Sequence, residues 1–201
     1  MRKLYLAPIF ALNLLASGVY ADHARGFYAG GIGSFINCDT LVNLEANRDA
    51  IDLPAVEINV GYKYNNWLGV ELRYGLGLDE RELYVAASGS DPAGTGQYNL
   101  DSFHSVYLRS EITNNEAKLY FLLGNTSIDA TEELVVDGVP QGAVKSSASG
   151  LSYGIGAGWF VDDHLNVNLE YRSLIDKADT TYSAASLSVD YRFSGTSLKF
   201  W

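Results

Sequence analysis

Three histidines, one cysteine and a scatter of carboxylates are the groups of this chain that could do chemistry. His104-Ser105 has the composition of a hydrolytic pair, in which an imidazole takes the proton of an attacking hydroxyl. The pair opens a segment, Phe103 to Ile112, in which apolar and polar residues alternate. Neighbours on a strand point to opposite faces, so those two side chains cannot meet. Asp162-Asp163-His164 holds pieces of an acid–base site, yet it lies between two strand-like segments, where Asp is favoured on backbone grounds. His23 stands close to the N-terminus. No catalytic residue is assigned, and no enzymatic activity is expected.

The acids Asp39, Asp49, Asp52, Asp79, Glu80, Glu82, Asp91, Asp129, Glu132, Glu133 and Asp137 fall between the apolar segments. Hard cations take clustered carboxylates. The chain has no Asp-x-Asp-x-Asp spacing, so a solvated acidic surface is the better reading; no metal or cofactor is assigned. A single cysteine, Cys38, cannot form an internal disulfide and reads as a small, semi-buried residue. The formal net charge of −10 argues against nucleic acid and anionic headgroup surfaces as partners.

A third set of charges has a regular position. Glu57, Lys63, Glu71, Arg73, Arg109, Glu111, Glu170, Arg172, Asp190 and Arg192 all lie on the polar parity of alternating segments. Five are acidic and five basic, in a chain with far more acids than bases. Mutual pairing in an enclosed space requires such a balance; a solvated surface does not. The expected network centres on Glu71, Arg73, Arg109, Glu170 and Arg172. It reads either as the lining of a gated, ion-selective pore or as a plug of mutually satisfied charges. A narrow barrel favours the plug.

The elements that position these charges are strands. Val56 to Tyr64 carries Val, Ile, Val, Tyr, Tyr on one parity and Glu, Asn, Gly, Lys on the other. Leu68 to Tyr74 and Leu165 to Arg172 repeat the pattern, which is that of a strand with one apolar face. Eight strands are expected: about Gly26 to Asn37, Val56 to Tyr64, Leu68 to Tyr74, Phe103 to Ile112, Ala117 to Asn125, Leu151 to Val161, Leu165 to Arg172 and Leu187 to Phe193. The first has apolar residues on both parities, which leaves its phase open. Asn65-Asn66, Asn114-Asn115 and Asp162-Asp163 mark tight turns. Long polar stretches cover 38–55, 79–102 and 126–150, with a shorter one at about 175–181; Leu134 to Val139 reads as a hairpin around Asp-Gly.

Short turns at one end and long loops at the other are the pattern of outer-membrane barrels. A soluble barrel would place its apolar parity inside and its charges in water. Here the apolar parity is capped by aromatics towards strand ends (Tyr62, Tyr64, Tyr74, Trp159, Tyr171, Tyr191, Phe193), as interfacial girdles require. The apolar faces of the second, third, sixth and seventh strands carry no Lys or Arg, each of which would cost about 2–4 kcal/mol at mid-membrane. Arg2-Lys3, the apolar run Leu4 to Leu15 and Val19-Tyr20-Ala21 read as a signal peptide over 1–21, with one barrel domain over 22–201.

Gly26-Phe27-Tyr28-Ala29-Gly30-Gly31-Ile32-Gly33, Ser152-Tyr153-Gly154-Ile155-Gly156-Ala157-Gly158 and Val189-Asp190-Tyr191-Arg192-Phe193 resemble the first, sixth and last strands of small outer-membrane barrels of the OmpA and OmpX type. The resemblance implies an all-β, eight-stranded antiparallel up-and-down transmembrane barrel in a Gram-negative outer membrane, both termini periplasmic. It implies outer-membrane lipid, lipopolysaccharide and the barrel-assembly machinery as partners, with Tyr191 and Phe193 as the insertion signal. Ser194 to Trp201 follow where the family commonly stops, and Leu198, Phe200 and Trp201 offer an alternative signal. The expected role is structural, with a surface ligand on the outer loops; a narrow channel for small solutes is the rival reading, and a lipid-modifying enzyme stands third.

Overall fold

The computed structural model describes residues 26–40, 51–85, 94–136, 139–177 and 180–193. The expected signal peptide, His23, the loop acids Asp49, Asp91 and Asp137, and residues 194–201 lie outside them. Nine strands form one antiparallel sheet: β1 (Gly26–Thr40), β2 (Ile51–Lys63), β3 (Leu68–Gly77), β4 (Glu80–Val85), β5 (Gly94–Thr113), β6 (Ala117–Val136), β7 (Val139–Phe160), β8 (Leu165–Lys177) and β9 (Thr180–Arg192). The sheet order is β3-β2-β1-β9-β8-β7-β6-β5-β4, and pairing of β3 with β5 closes the ring. β4 pairs with the upper part of β5 and continues β3 beyond Leu78-Asp79, so the barrel has eight staves. Closure leaves no free edge around the belt, where lipid could not satisfy one.

Alternation decides what each face meets. Val56, Ile58, Val60, Val70, Leu72, Val106, Leu108, Phe121, Leu123, Ile155, Leu169, Leu187 and Val189 point outward and are exposed. Tyr64, Trp67, Trp159, Tyr191 and Phe193 ring the turn end of this belt, and Phe35, Tyr74, Tyr153 and Tyr171 ring the other. The phase of β1, open in the sequence, is settled: Tyr28, Ile32, Ser34 and Ile36 face inward, and Gly31, Gly33 and Phe35 outward.

The three tight turns share one device. Asn65 Oδ1 accepts the N–H groups of Trp67 (2.9 Å) and Leu68 (2.8 Å). Asn114 Oδ1 accepts those of Glu116 (2.9 Å) and Ala117 (2.7 Å), and Asp162 Oδ1 those of His164 and Leu165, both at 2.7 Å. A short side-chain oxygen thus takes two donors that the reversal withdraws from the ladder. Those two backbone N–H groups hold the Asp162 carboxyl below its ordinary range.

The strands run farther than alternation indicated. β6 and β7 pair up to Val136 and Val139, and β5 begins at Gly94, so much of 94–102 and 126–150 is ladder rather than loop. At 20 and 22 residues, β6 and β7 are about twice the 9–11 needed to cross a bilayer. The outer part of β7 lacks alternation because both faces there meet water, as at Gly142–Ser147, whereas β6 keeps Thr126, Ile128 and Ala130 buried inside.

Replacing Asn114 with Ala should cost about 1 kcal/mol, from two orphaned N–H groups, in urea unfolding from micelles, while Asn114→Asp should retain most of the stability. The Asp162 turn should weaken as pH falls. Its carboxylate pKa is depressed by folding, so its contribution exists above the unfolded pKa and is lost as pH drops through the folded one. Equal sensitivity of Asp162→Asn and the parent protein to acid would contradict this.

Candidate functional site: the barrel interior

Eight staves leave room for side chains only if large ones face small ones. Across the seams, Tyr28 lies opposite Gly61, Phe103 opposite Gly75, Tyr107 opposite Gly124 and Tyr120 opposite Gly156. Charged residues follow suit, with Lys63 opposite Gly69 and Arg172 opposite Gly154. A methyl group on Gly61 or Gly156 would overlap the facing tyrosine ring. Between β8 and β9, Glu170 and Arg172 face Ser186 and Ala184.

Within that space the charges form one alternating chain. Lys63 pairs with Glu111, and Glu111 Oε2 lies 3.3 Å from Arg109 Nε. Arg109 Nη1 donates to Glu71 Oε2 at 2.7 Å, and Arg73 Nε donates to Glu71 Oε1 at 2.5 Å. Arg73 then grips Glu170 with both terminal nitrogens, at 2.6 and 2.9 Å. Arg172 Nε stands 2.8 Å from Glu170, and Arg172 Nη2 donates to Glu57. Four cations and four anions alternate without a repeat of sign. Neutral groups add to the shells, although Glu57 Oε2, Arg109 Nη2 and Arg172 Nη1 are buried without a hydrogen-bond partner. Tyr28 donates to Glu71 at 2.5 Å, Ser34 donates to Glu57, and the Arg109 guanidinium lies 3.9 Å from the Tyr120 ring centroid. Such satisfaction is what makes buried charge tolerable.

Above the ionic layer the interior turns apolar. Ile36, Leu53, Leu100, Phe103, Ile128, Leu174 and Ile175 form one buried cluster with Cys38, Ala55, Ala130, Tyr98, Tyr182 and Ala184. The Tyr98 and Tyr182 hydroxyls meet at 2.7 Å. Two bulges help to build this cap. The shift between Leu100 and Ser102 lets Leu100 and Phe103 both face inward, and the shift at Ser173/Ile175 turns the adjacent Leu174 and Ile175 inward together. A lumen filled by charge along its whole height is therefore not what forms.

All ten charged residues named from the sequence are buried. Eight of them make the chain; Asp190 and Arg192 stand beside it. Asp190 accepts from Asn59 (3.1 Å) and Asn168 (2.9 Å). The even balance of five and five does not hold, because Lys118 is also inward and buried. Both parities of its strand are apolar, but Lys118 is the one residue that lipid would reject, and that could have fixed the phase. Asn59, Asn168 and Tyr107 share the polar parity of their strands with the named charges, whereas the inward Tyr28 and Tyr120 carried no such signal. His104 is exposed on the outer face while Ser105 is buried and shares a 2.8 Å hydrogen bond with Thr126. Asp162 serves its turn, as above.

A family model described as outer membrane protein beta-barrel domain matches residues 7–193. No curated protein matches. Among solved structures, Ail, the attachment invasion locus protein of Yersinia pestis in complex with the heparin analogue sucrose octasulfate, superposes with a TM-score of 0.57 at 18% identity, covering 84% of this chain and 99% of its own. Neisserial surface protein A gives 0.54 at 14% identity, covering 86% and 100%. The outer membrane protein OprG from Pseudomonas aeruginosa gives 0.53 at 12%, covering 85% and 97%.

Removing the central acid tests the chain. Glu71→Gln leaves Arg73 and Arg109 each short of a counter-charge in a buried site and should destabilise the barrel by about 3–5 kcal/mol. Glu132→Gln, on the exposed outer part of β6, should stay within about 0.5 kcal/mol. Unfolding midpoints in micelles measure both, and equal effects would refute the chain.

Proposed function

The chain belongs to the outer membrane protein beta-barrel domain family and is an integral barrel of the Gram-negative outer membrane; we propose that its lumen is closed and that its role is structural and surface-interacting. The observation that carries this reading is the apolar cap. Its buried side chains come from β1, β2, β5, β6, β8 and β9, so they converge on the lumen from most of its circumference. A solute passing along the axis would have to part Phe103, Leu100 and Leu53 and then break the ion-pair chain beneath. Small barrels leave no aqueous channel even without such a cap. The narrow-channel reading would need a polar path through the cap, and no described feature favours one.

Orientation follows from the same logic. Both ends of the barrel lie at the Asx-turn end, and short turns belong on the periplasmic side, which puts the long β5–β7 ladder outside the cell. Tyr191 and Phe193, exposed at the end of β9, are in place to act as the insertion signal for the barrel-assembly machinery. The outward belt takes membrane lipid, with lipopolysaccharide in the outer leaflet.

The outer ends of the staves are the contact surface, and their charge restricts what binds. Asp52, Asp79, Glu80, Glu82 and Glu132 are exposed there, against the exposed Arg81 and Lys145. Ail is described with a polysulfated ligand; a surface this acidic repels one. The ligand class we assign is cationic or neutral.

In planar bilayers the purified protein should give no reproducible unit conductance, and Arg73→Ala should stay silent because the cap is untouched. Conductance steps from the parent protein would overturn the closed-lumen reading. Immobilised protein should retain a lysine-rich peptide at physiological salt and release sucrose octasulfate; the reverse preference would overturn the surface assignment.

A further inference from the structure

Among the described residues, the alternating chain accounts for eight of the buried inward charges and leaves three: Asp190, Lys118 and Arg192. They do not cancel. Both Asp190 oxygens are engaged by the amides of Asn59 and Asn168, and Lys118 Nζ stands 3.8 Å from the nearer one. No described carboxylate comes within ion-pair distance of Arg192. Its Nη1 is buried with no hydrogen-bond partner, and so is Arg109 Nη2. Lys118 and Arg192 are the last inward residues of β6 and β9 at the turn end, and Lys63 ends β2 beside them. Around Glu111 and Asp190, this end of the lumen gathers Lys63, Arg109, Lys118 and Arg192. Arg109 is also held by Glu71, and the chain as a whole is neutral. Lys118 and Arg192 against Asp190 therefore leave one positive charge in excess, and that carboxylate is already used by amides.

We propose that the turn-end mouth of the lumen is a binding site for a small oxyanion of the phosphate class, held by Lys118 and Arg192 with the free Nη2 of Arg109. Guanidinium forks and an ammonium are the donors that such an anion selects, the first by bidentate geometry and the second as a point charge. Water could satisfy the orphaned N–H groups but not the surplus charge, which is poorly screened by the surrounding tyrosines and the lipid belt. The turn end of the barrel lies at the membrane surface in the proposed orientation, so the phosphate comes either from solution or from a phospholipid headgroup.

Nitrogen-15 NMR of the arginine Nε–H groups separates the outcomes. In maltoside micelles, which carry no phosphate, inorganic phosphate is titrated against methanesulfonate at constant ionic strength. The Arg192 resonance should shift saturably. Lys118→Met should raise the half-saturation concentration at least tenfold, and Lys145→Met, at the far end of β7, should leave it within twofold. Phospholipid nanodiscs in phosphate-free buffer form the second arm; the saturated Arg192 position there assigns the headgroup as the source, and the unshifted position assigns free anion. Should Arg192→Gln not fold, the parent protein and Lys118→Met carry the test alone. A shift that stays linear in phosphate, or is equal in Lys118→Met, in micelles together with an unshifted resonance in nanodiscs means that the mouth holds water only, and overturns the site.

Discussion

Charge that neither water nor a single partner can neutralise governs the lower half of this barrel. An ionised group in an enclosed lumen costs several kcal/mol unless its field is cancelled at hydrogen-bond distance. The chain from Lys63 to Glu57 meets that condition by alternation, each interior member sitting between two of opposite sign. Five staves contribute to it, β2, β3, β5 and β8 directly and β1 through Tyr28 and Ser34. None of these four charged staves can leave without uncovering a charge on another. The network is weak evidence for high stability, since an apolar filling of equal shape can be as favourable. What it imposes is a unique arrangement of the strands.

The upper half obeys a different rule. There the cluster around Phe103, Ile36 and Leu174 is an ordinary hydrophobic core, of the kind a soluble protein would build. The barrel is therefore inverted only over the height of its lipid belt. Beyond it the staves rise into water, where outward apolar residues give way to His104, Asn125 and Ser149. The change of solvent outside coincides with the change of filling inside.

Much of this was legible in the sequence, for physical reasons that can be named. A strand between lipid and a polar lumen must alternate, so Val56 to Tyr64 and Leu165 to Arg172 declared both their conformation and their facing. The turns declared themselves through Asn and Asp, because the same side-chain oxygen closes all three. The inward charges were readable because lipid forbids them elsewhere. What stayed hidden lacked such a conflict. Bulges at Leu100/Ser102 and Ser173/Ile175 invert parity without leaving a mark in composition, and so the cap was missed. The outer part of β7 meets water on both faces, and the outer parts of β5 and β6 turn their apolar residues inward instead of outward, so apart from the hairpin at Leu134 to Val139 these ladders read as loops. In the first strand, glycine and alanine on the outward parity left no contrast to read.

The pairing of bulk against nothing across the seams also bears on how the barrel assembles. Shift β1 along β2 by two residues, which keeps every face correct, and Tyr28 no longer meets Gly61 but Asn59 or Lys63. The same step brings Tyr120 against Gly154 or Gly158, glycines again, but Arg172 against Ser152 or Gly156, so errors are punished unevenly around the ring. Steric proofreading is thus strictest where an aromatic ring has a side chain on either side of its glycine. At β8–β9, where serines and alanines accept whatever lies opposite, misalignment is cheapest and correction must come from the neighbouring seams.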